Sequence, residues 1–164
     1  MSPKAPASGI ALLALSLILH AGPGLAAPPT IVKEADLEFG RFAASPSFTT
    51  RVSVSTDGSR STDHGLLLPG ASPQPAQFSV SGPPNGPFQA SISVGGSGPA
   101  GVTLEGLTAT CGAGSIYSGA ILSGCQLSVS GTGTIHVGGS LAVDAGQGRT
   151  SVSMNNAITV QVSN

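Results

Sequence analysis

From residue 48 onward, apolar and polar side chains alternate in short bursts, and Gly, Pro, Asn or Asp separates one burst from the next. Phe48, Thr50, Val52 and Val54 share one parity; Thr49, Arg51, Ser53 and Ser55 share the other. Successive side chains of a strand point to opposite faces, so this segment has one buried face and one wet face. The turn signal TDGSR at 56–60 ends it. The same pattern returns in Phe78/Val80, Phe88/Ala90/Ile92/Val94, Leu127/Val129, Ile135/Val137, Leu141/Val143 and Ile158/Val160/Val162. Within 102–111 the parity flips between Val102/Leu104 and Leu107/Ala109, which predicts a β-bulge at Gly106. Gly40 stands in the same relation to Leu37/Phe39 and Phe42. No segment beyond residue 27 carries a 3.6-residue period. About eight or nine short strands in one domain make an all-β, antiparallel β-sandwich. Outer faces rich in Ser and Thr fit a sandwich rather than a membrane barrel, whose outer face is apolar.

The first residues follow a different rule. Lys4 precedes an apolar run of ten residues, Ile10 to Leu19, and Gly22, Pro23 and Gly24 break it. Gly24 and Ala26 fall at the −3 and −1 positions of a cleavage before Ala27. The run is too short for a bilayer core of ~30 Å, which takes about 20 residues. We expect residues 1–26 to be a signal peptide cut between Ala26 and Ala27. Residues 27–35 then form an extended N-terminal segment and 36–164 the sandwich, with no membrane span after cleavage. Export to the periplasm, the cell surface or the medium would oxidise Cys111 and Cys125, the only two cysteines. A bond between them closes a loop worth at most ~3 kcal/mol. They lack the C-x-x-C spacing and neighbouring His of a redox or metal pair. The enclosed GAGSIYSGAILSG reads as a flexible loop, with Tyr117 and Ile121 as the side chains best suited to meet a partner.

Composition removes several function classes. Six Lys and Arg against seven Asp and Glu leave a net charge of −1, so no basic field attracts nucleic acid. With 40% apolar and only 8% charged residues, the chain can build a core and is not of the disordered class. The segment GSGPAG at 96–101 fits G-x-G-x-x-G, but Pro99 and the strand-like VTLEGLTA deny it the helix that a dinucleotide site needs. Asp63-His64 suggests a serine triad, yet no G-x-S-x-G stands in the chain. His136 sits on outward parity between Ile135 and Val137. Glu34, Asp36 and Glu38 would line one strand face about 6.6 Å apart, whereas a Ca²⁺ loop curls around its ion. We expect no cofactor, no metal and no enzyme.

The order DLEFG (36–40), VSVSTDGSRST (52–62), PQPAQFSVSG (73–82) and GTGTIHVGGSLAVDAGQ (131–147) resembles the bacterial domain-of-unknown-function family 4402. The resemblance implies an exported Gram-negative protein with an immunoglobulin-like sandwich, related to pilus and adhesin subunits, and no catalytic residue. The family usually closes with a Gly-Tyr-x-Gly segment; here GQGRTSVSMNNAITVQVSN stands in its place.

Charge is unevenly placed. Lys33, Glu34, Asp36, Glu38, Arg41, Arg51, Asp57, Arg60 and Asp63 crowd one stretch, while only Glu105, Asp144 and Arg149 follow. Strands without edge charges associate readily. The expectation is a non-enzymatic surface or fimbrial-like structural or adhesion subunit that acts through β-strand pairing. Its partners would be further copies or pilus-type subunits, with a periplasmic chaperone. The alternative is a monomeric secreted or periplasmic module that binds through its loops.

Overall fold

Alternation becomes strand wherever a second strand covers the apolar parity. A computed structural model describes residues 27–95, 99–112, 116–148, 151–153 and 157–164. Within them lie thirteen strands and no helix: β1 (Thr30–Ala35), β2 (Glu38–Ala43), β3 (Thr50–Val54), β4 (Arg60–Asp63), β5 (Leu66–Leu67), β6 (Ala76–Ser81) and β7 (Pro87–Val94), followed by β8 (Val102–Thr110), β9 (Ile116–Ser118), β10 (Ile121–Gln126), β11 (Thr132–Val143), β12 (Ser151–Ser153) and β13 (Ile158–Ser163). The architecture is an antiparallel β-sandwich. The surplus over eight or nine strands is mostly short: β5, β9 and β12 have two or three residues each, too few to show a period.

One layer is built around β11. Residues 132–137 of this strand pair with β6, residues 139–143 pair with β3, and residues 136–143 pair with β8. His136 and Val137 bond to both β6 and β8, so β6 and β3 follow one another along one edge of β11 while β8 takes the other. β1 extends the layer beyond β6, and β4 extends it beyond β3. The second layer runs β13-β7-β10-β9. A small sheet, β12-β2-β5, contributes Phe39 and Phe42, the largest fully buried side chains, to the core between the layers. The extended segment 27–35 is thus largely occupied, because β1 is already seated on β6 of its own chain.

Both sequence-derived bulges are present. Gly138 faces Thr108 but Ser140 faces Glu105, so Gly106 and Leu107 share one partner residue, and Gly106 takes φ +53°. In β2, Arg41 faces Ser151 and Glu38 faces Ser153, which leaves Gly40, at φ +68°, as the extra residue. The opening at Gly40 has a use: the Arg60 guanidinium enters it and donates to the carbonyls of Phe39 and Arg41 at 3.0 and 3.1 Å. An unforeseen bulge at Ser123–Gly124 turns both Leu122 and Cys125 inward. Cys111 and Cys125 are bonded, which ties the end of β8 in one layer to β10 in the other.

Three expectations need correction. The loop between the cysteines is not without structure, because β9 and β10 form a hairpin inside it. Leu127/Val129 is not a strand: Leu127 is buried, but Val129 lies on a turn that Ser128 closes with Thr132. Phe48 is not a core residue; β3 begins at Thr50, and Phe48 stands 60% exposed.

The switch of β11 between β6 and β3 depends on close approach. A Cβ on Gly138 would lie 2.3 Å from the Val54 carbonyl oxygen and 2.9 Å from the Ser55 carbonyl carbon, both backbone atoms. Gly138→Ala should therefore cost about 2 kcal/mol of stability through overpacking, read as a drop in the denaturation midpoint with the slope unchanged.

Candidate functional site

The residues singled out for chemistry do not converge. Asp63 and His64 are adjacent and exposed, with Nδ1 3.3 Å from the carboxylate. The imidazole stacks on Phe48 with ring centroids 5.2 Å apart. Glu34 and Glu38 lie on different strands, and Asp36 between them pairs with Lys33 at 2.8 Å. His136 is half-buried on the outer face of β11, between Gln77 and Thr110. Residues 96–98 of GSGPAG lie outside the described residues, as do residues 1–26 with Ala26; beyond Pro99 the chain turns and enters β8, a strand. Ala27 is the first described residue. Among the described residues no group of three His, Cys, Asp or Glu side chains could hold a metal ion, and no helix is long and apolar enough to cross a membrane.

Tyr117 and Ile121 belong to one hairpin but to opposite faces. Tyr117 faces Leu122 across the pair and packs against the core, and burial pushes its phenol above the ordinary value. Ile121 faces Ser118 and is 51% exposed. They do not form one contact surface.

Two surface features escaped sequence reasoning. The Phe48–His64 ring pair stands at one end of the sandwich, where Thr50 holds both loops. Its buried hydroxyl accepts from the Ser45 N–H at 2.7 Å and donates to the His64 carbonyl at 3.1 Å. The second is a cleft of about 190 Å³ walled by Ser53, Ser55, Ser59, Ser61, Thr108 and Ser140. Its hydroxyls bond largely to each other, Ser53 to Ser140 at 2.7 Å and Ser55 to Ser59 at 2.6 Å.

The edges of the sheets discriminate far more sharply. An edge strand shows a row of unpaired N–H and C=O groups, and proteins blunt such rows with charges, Pro, bulges or very short strands. The β1 edge has Lys33, Glu34 and a register break between Lys33 and Ala35. β4 carries Arg60 and Asp63, and β8 carries Glu105 and the Gly106 bulge. β5, β9 and β12 are two or three residues long. β13 has none of these defences: ITVQVS is six residues without charge or Pro, in unbroken register with β7. No Lys, Arg, Asp or Glu stands on any strand of its sheet.

The backbone direction of β13 follows from one hydrogen bond. Gly95 donates to the Ala157 carbonyl at 2.7 Å, so Ala157 turns its backbone groups toward β7. Pairing in an antiparallel ladder alternates. Thr159, Gln161 and Ser163 therefore also bond to β7, and Ile158, Val160 and Val162 turn theirs to the outer edge. Ile92 agrees from the far side, donating to Ala120 on the β10 flank at 2.7 Å. Beside that edge a cleft of about 270 Å³ opens between β1 and β13, lined by Ile31, Phe78, Ile158 and Val160 together with Thr159 and Lys33, whose ammonium is paired with Asp36.

Residues 30–162 match the family described as Domain of unknown function (DUF4402). The chain belongs to the DUF4402 family. Neither a curated protein nor a solved structure matches it. The match takes in β1, so the strand at 30–35 is part of the DUF4402 domain as well as part of its sheet.

One titration checks the local geometry. Asp57 accepts from the Ser55 hydroxyl and from the Ser59 backbone N–H, and these bonds lower its pKa from 3.8 to about 2. A group whose folded pKa is depressed adds stability above its unfolded pKa and loses it as the pH falls through the folded one. The support that the Asp57 carboxylate gives the turn at 55–59 should therefore be full above pH 3.8 and lost as the pH falls from there to about 2. Carboxyl chemical shifts should place the Asp57 midpoint there, and Ser55→Ala should move it up toward 3.8.

Proposed function

We propose that this DUF4402 chain is an exported, non-enzymatic surface or fimbrial-like subunit that works by β-strand pairing. The observation that carries the reading is the β13 edge, the one long edge among the described residues without charge, Pro or bulge. Strand addition supplies affinity through main-chain hydrogen bonds and specificity through alternate side chains. The β13 edge meets both needs: Ile158, Val160 and Val162 offer outward backbone groups, and the cleft beside them offers Ile31, Phe78, Ile158 and Val160 as apolar contacts next to Lys33 and Thr159. The Cys111–Cys125 bond suits an oxidising compartment, and residues 1–26 read as a leader that would take the chain there. A periplasmic chaperone that covers this edge before assembly is the partner such a subunit needs.

A second reading is a monomeric secreted or periplasmic module that binds through its loops. The exposed Phe48–His64 ring pair favours it, since an open aromatic face is a ready contact.

The exposed side chains of β13 separate the two. Thr159→Lys with Gln161→Lys adds the charges by which natural edges resist pairing while leaving the buried parity intact. The exported wild type should associate on size exclusion with light scattering. The double variant should melt like the wild type and lose that association. A wild type that stays monomeric at every concentration, with Phe48→Ala abolishing ligand or partner binding, supports the module instead.

A further inference from the structure

We infer that the strand which β13 pairs with is β13 of a second copy, antiparallel about a two-fold axis normal to the sheet. This rests on the strand-pairing reading above and names its partner.

Three properties of β13 point to its own copy. An antiparallel two-fold contact sets each residue against a near neighbour of the same strand, so any charge on it would face a like charge close to the axis. ITVQVS has none, nor does any strand of its sheet. Opposed residues of an antiparallel pair point to the same face. The two-fold therefore preserves burial only if its axis passes through a residue rather than between two, because a slip of one residue would turn Ile158 and Val160 to solvent. Within β13 an axis at Gln161 opposes Thr159 to Ser163: Val160 meets Val162, Thr159 meets Ser163, and Gln161 meets itself. An axis at Val160 opposes as many strand positions, Ile158 to Val162, but sets Thr159 against Gln161. Both arrangements use the outward backbone groups of Ile158, Val160 and Val162, and the first alone matches hydroxyl with hydroxyl and amide with amide on the wet face.

The cleft beside the edge fits the same occupant. With the axis at Gln161, the partner's Val162 opposes Val160 and would continue the apolar row beside Ile31 and Phe78, in a cleft that Lys33 and Thr159 also line. Such a contact is closed: two copies satisfy both edges, and one eight-stranded sheet, twice β13-β7-β10-β9, crosses the interface. Growth beyond two copies would need a different surface.

Cysteine pairing reads the register directly. With the axis at Gln161, the two Gln161 positions form a non-hydrogen-bonded pair with Cα atoms about 4.5 Å apart, inside the range a disulfide bridges. The two Thr159 positions lie about 13 Å apart, four residues of rise. The full-length chain, exported to a bacterial periplasm as Gln161→Cys, should run as a covalent dimer without reductant. Thr159→Cys alone should not, and Thr159→Cys with Ser163→Cys should. Light scattering of the wild type should give two copies, and Thr159→Lys with Gln161→Lys should raise the dissociation constant by more than about tenfold. Bridging by Thr159→Cys alone, or none by Gln161→Cys, overturns the two-fold. If the lysine variant still abolishes an association that is not two-fold, strand pairing stands and only the two-fold arrangement falls. If the lysines leave association unchanged, both fall.

Discussion

Everything in this fold depends on one strand that serves three neighbours. β11 pairs with β6 along its first half, with β3 along its second, and with β8 on its other side. A strand can do this only if its backbone passes very close to the point where one neighbour hands over to the next. Gly138 provides that point, with the Val54 carbonyl where a side chain would begin. The hand-over brings β1-β6 and β3-β4 onto the same flank of one layer, while Ile135, Val137, Leu141 and Val143 remain in the core. Were β11 to pair with one strand per side, the charged β3-β4 hairpin would have to be placed elsewhere.

Charge then marks which edges are closed. Most of the charged residues lie between Lys33 and Asp63, and the structure puts several of them where they cap or cross a sheet. Arg60 turns inward to three carbonyls, those of Phe39, Arg41 and Leu68. Arg51 crosses to Glu105 at 3.3 Å over the outer face of β11, an exposed pair of small energetic worth that nonetheless occupies the surface a further strand or sheet would use. The layer β13-β7-β10-β9 has no such cover. Its outer residues are Gln89, Ser91, Ser93, Thr159 and Gln161, polar enough for water and neutral enough to pair.

Much of this was legible because parity is a local signal. The flips at Gly106 and Gly40 name their bulges from a few residues on either side, and both glycines take positive φ. Ser123–Gly124 carries the same signal between Leu122 and Cys125, but it is masked by the glycines and serines around it, so the β9–β10 hairpin reads as loop. Phe48 misleads in the opposite way: it continues the parity of β3 for a turn that the chain does not complete, because the Thr50 hydroxyl captures the Ser45 N–H and ends the strand there. The β13 site was half legible. ITVQVS announces a strand with one buried face, but whether a strand lies at an edge depends on every other pairing in the sheet, and that information is not local.

The central claim is that the outer edge of β13 is an open, specific place for another strand. Amide hydrogen exchange at two protein concentrations tests it residue by residue. At low concentration the N–H groups of Thr159, Gln161 and Ser163 should be protected by β7, and those of Ile158, Val160 and Val162 should exchange fast. At high concentration the second set should become protected and the first should change little. Protection of Ile158, Val160 and Val162 that is already complete in the monomer, or that never rises with concentration, would contradict it.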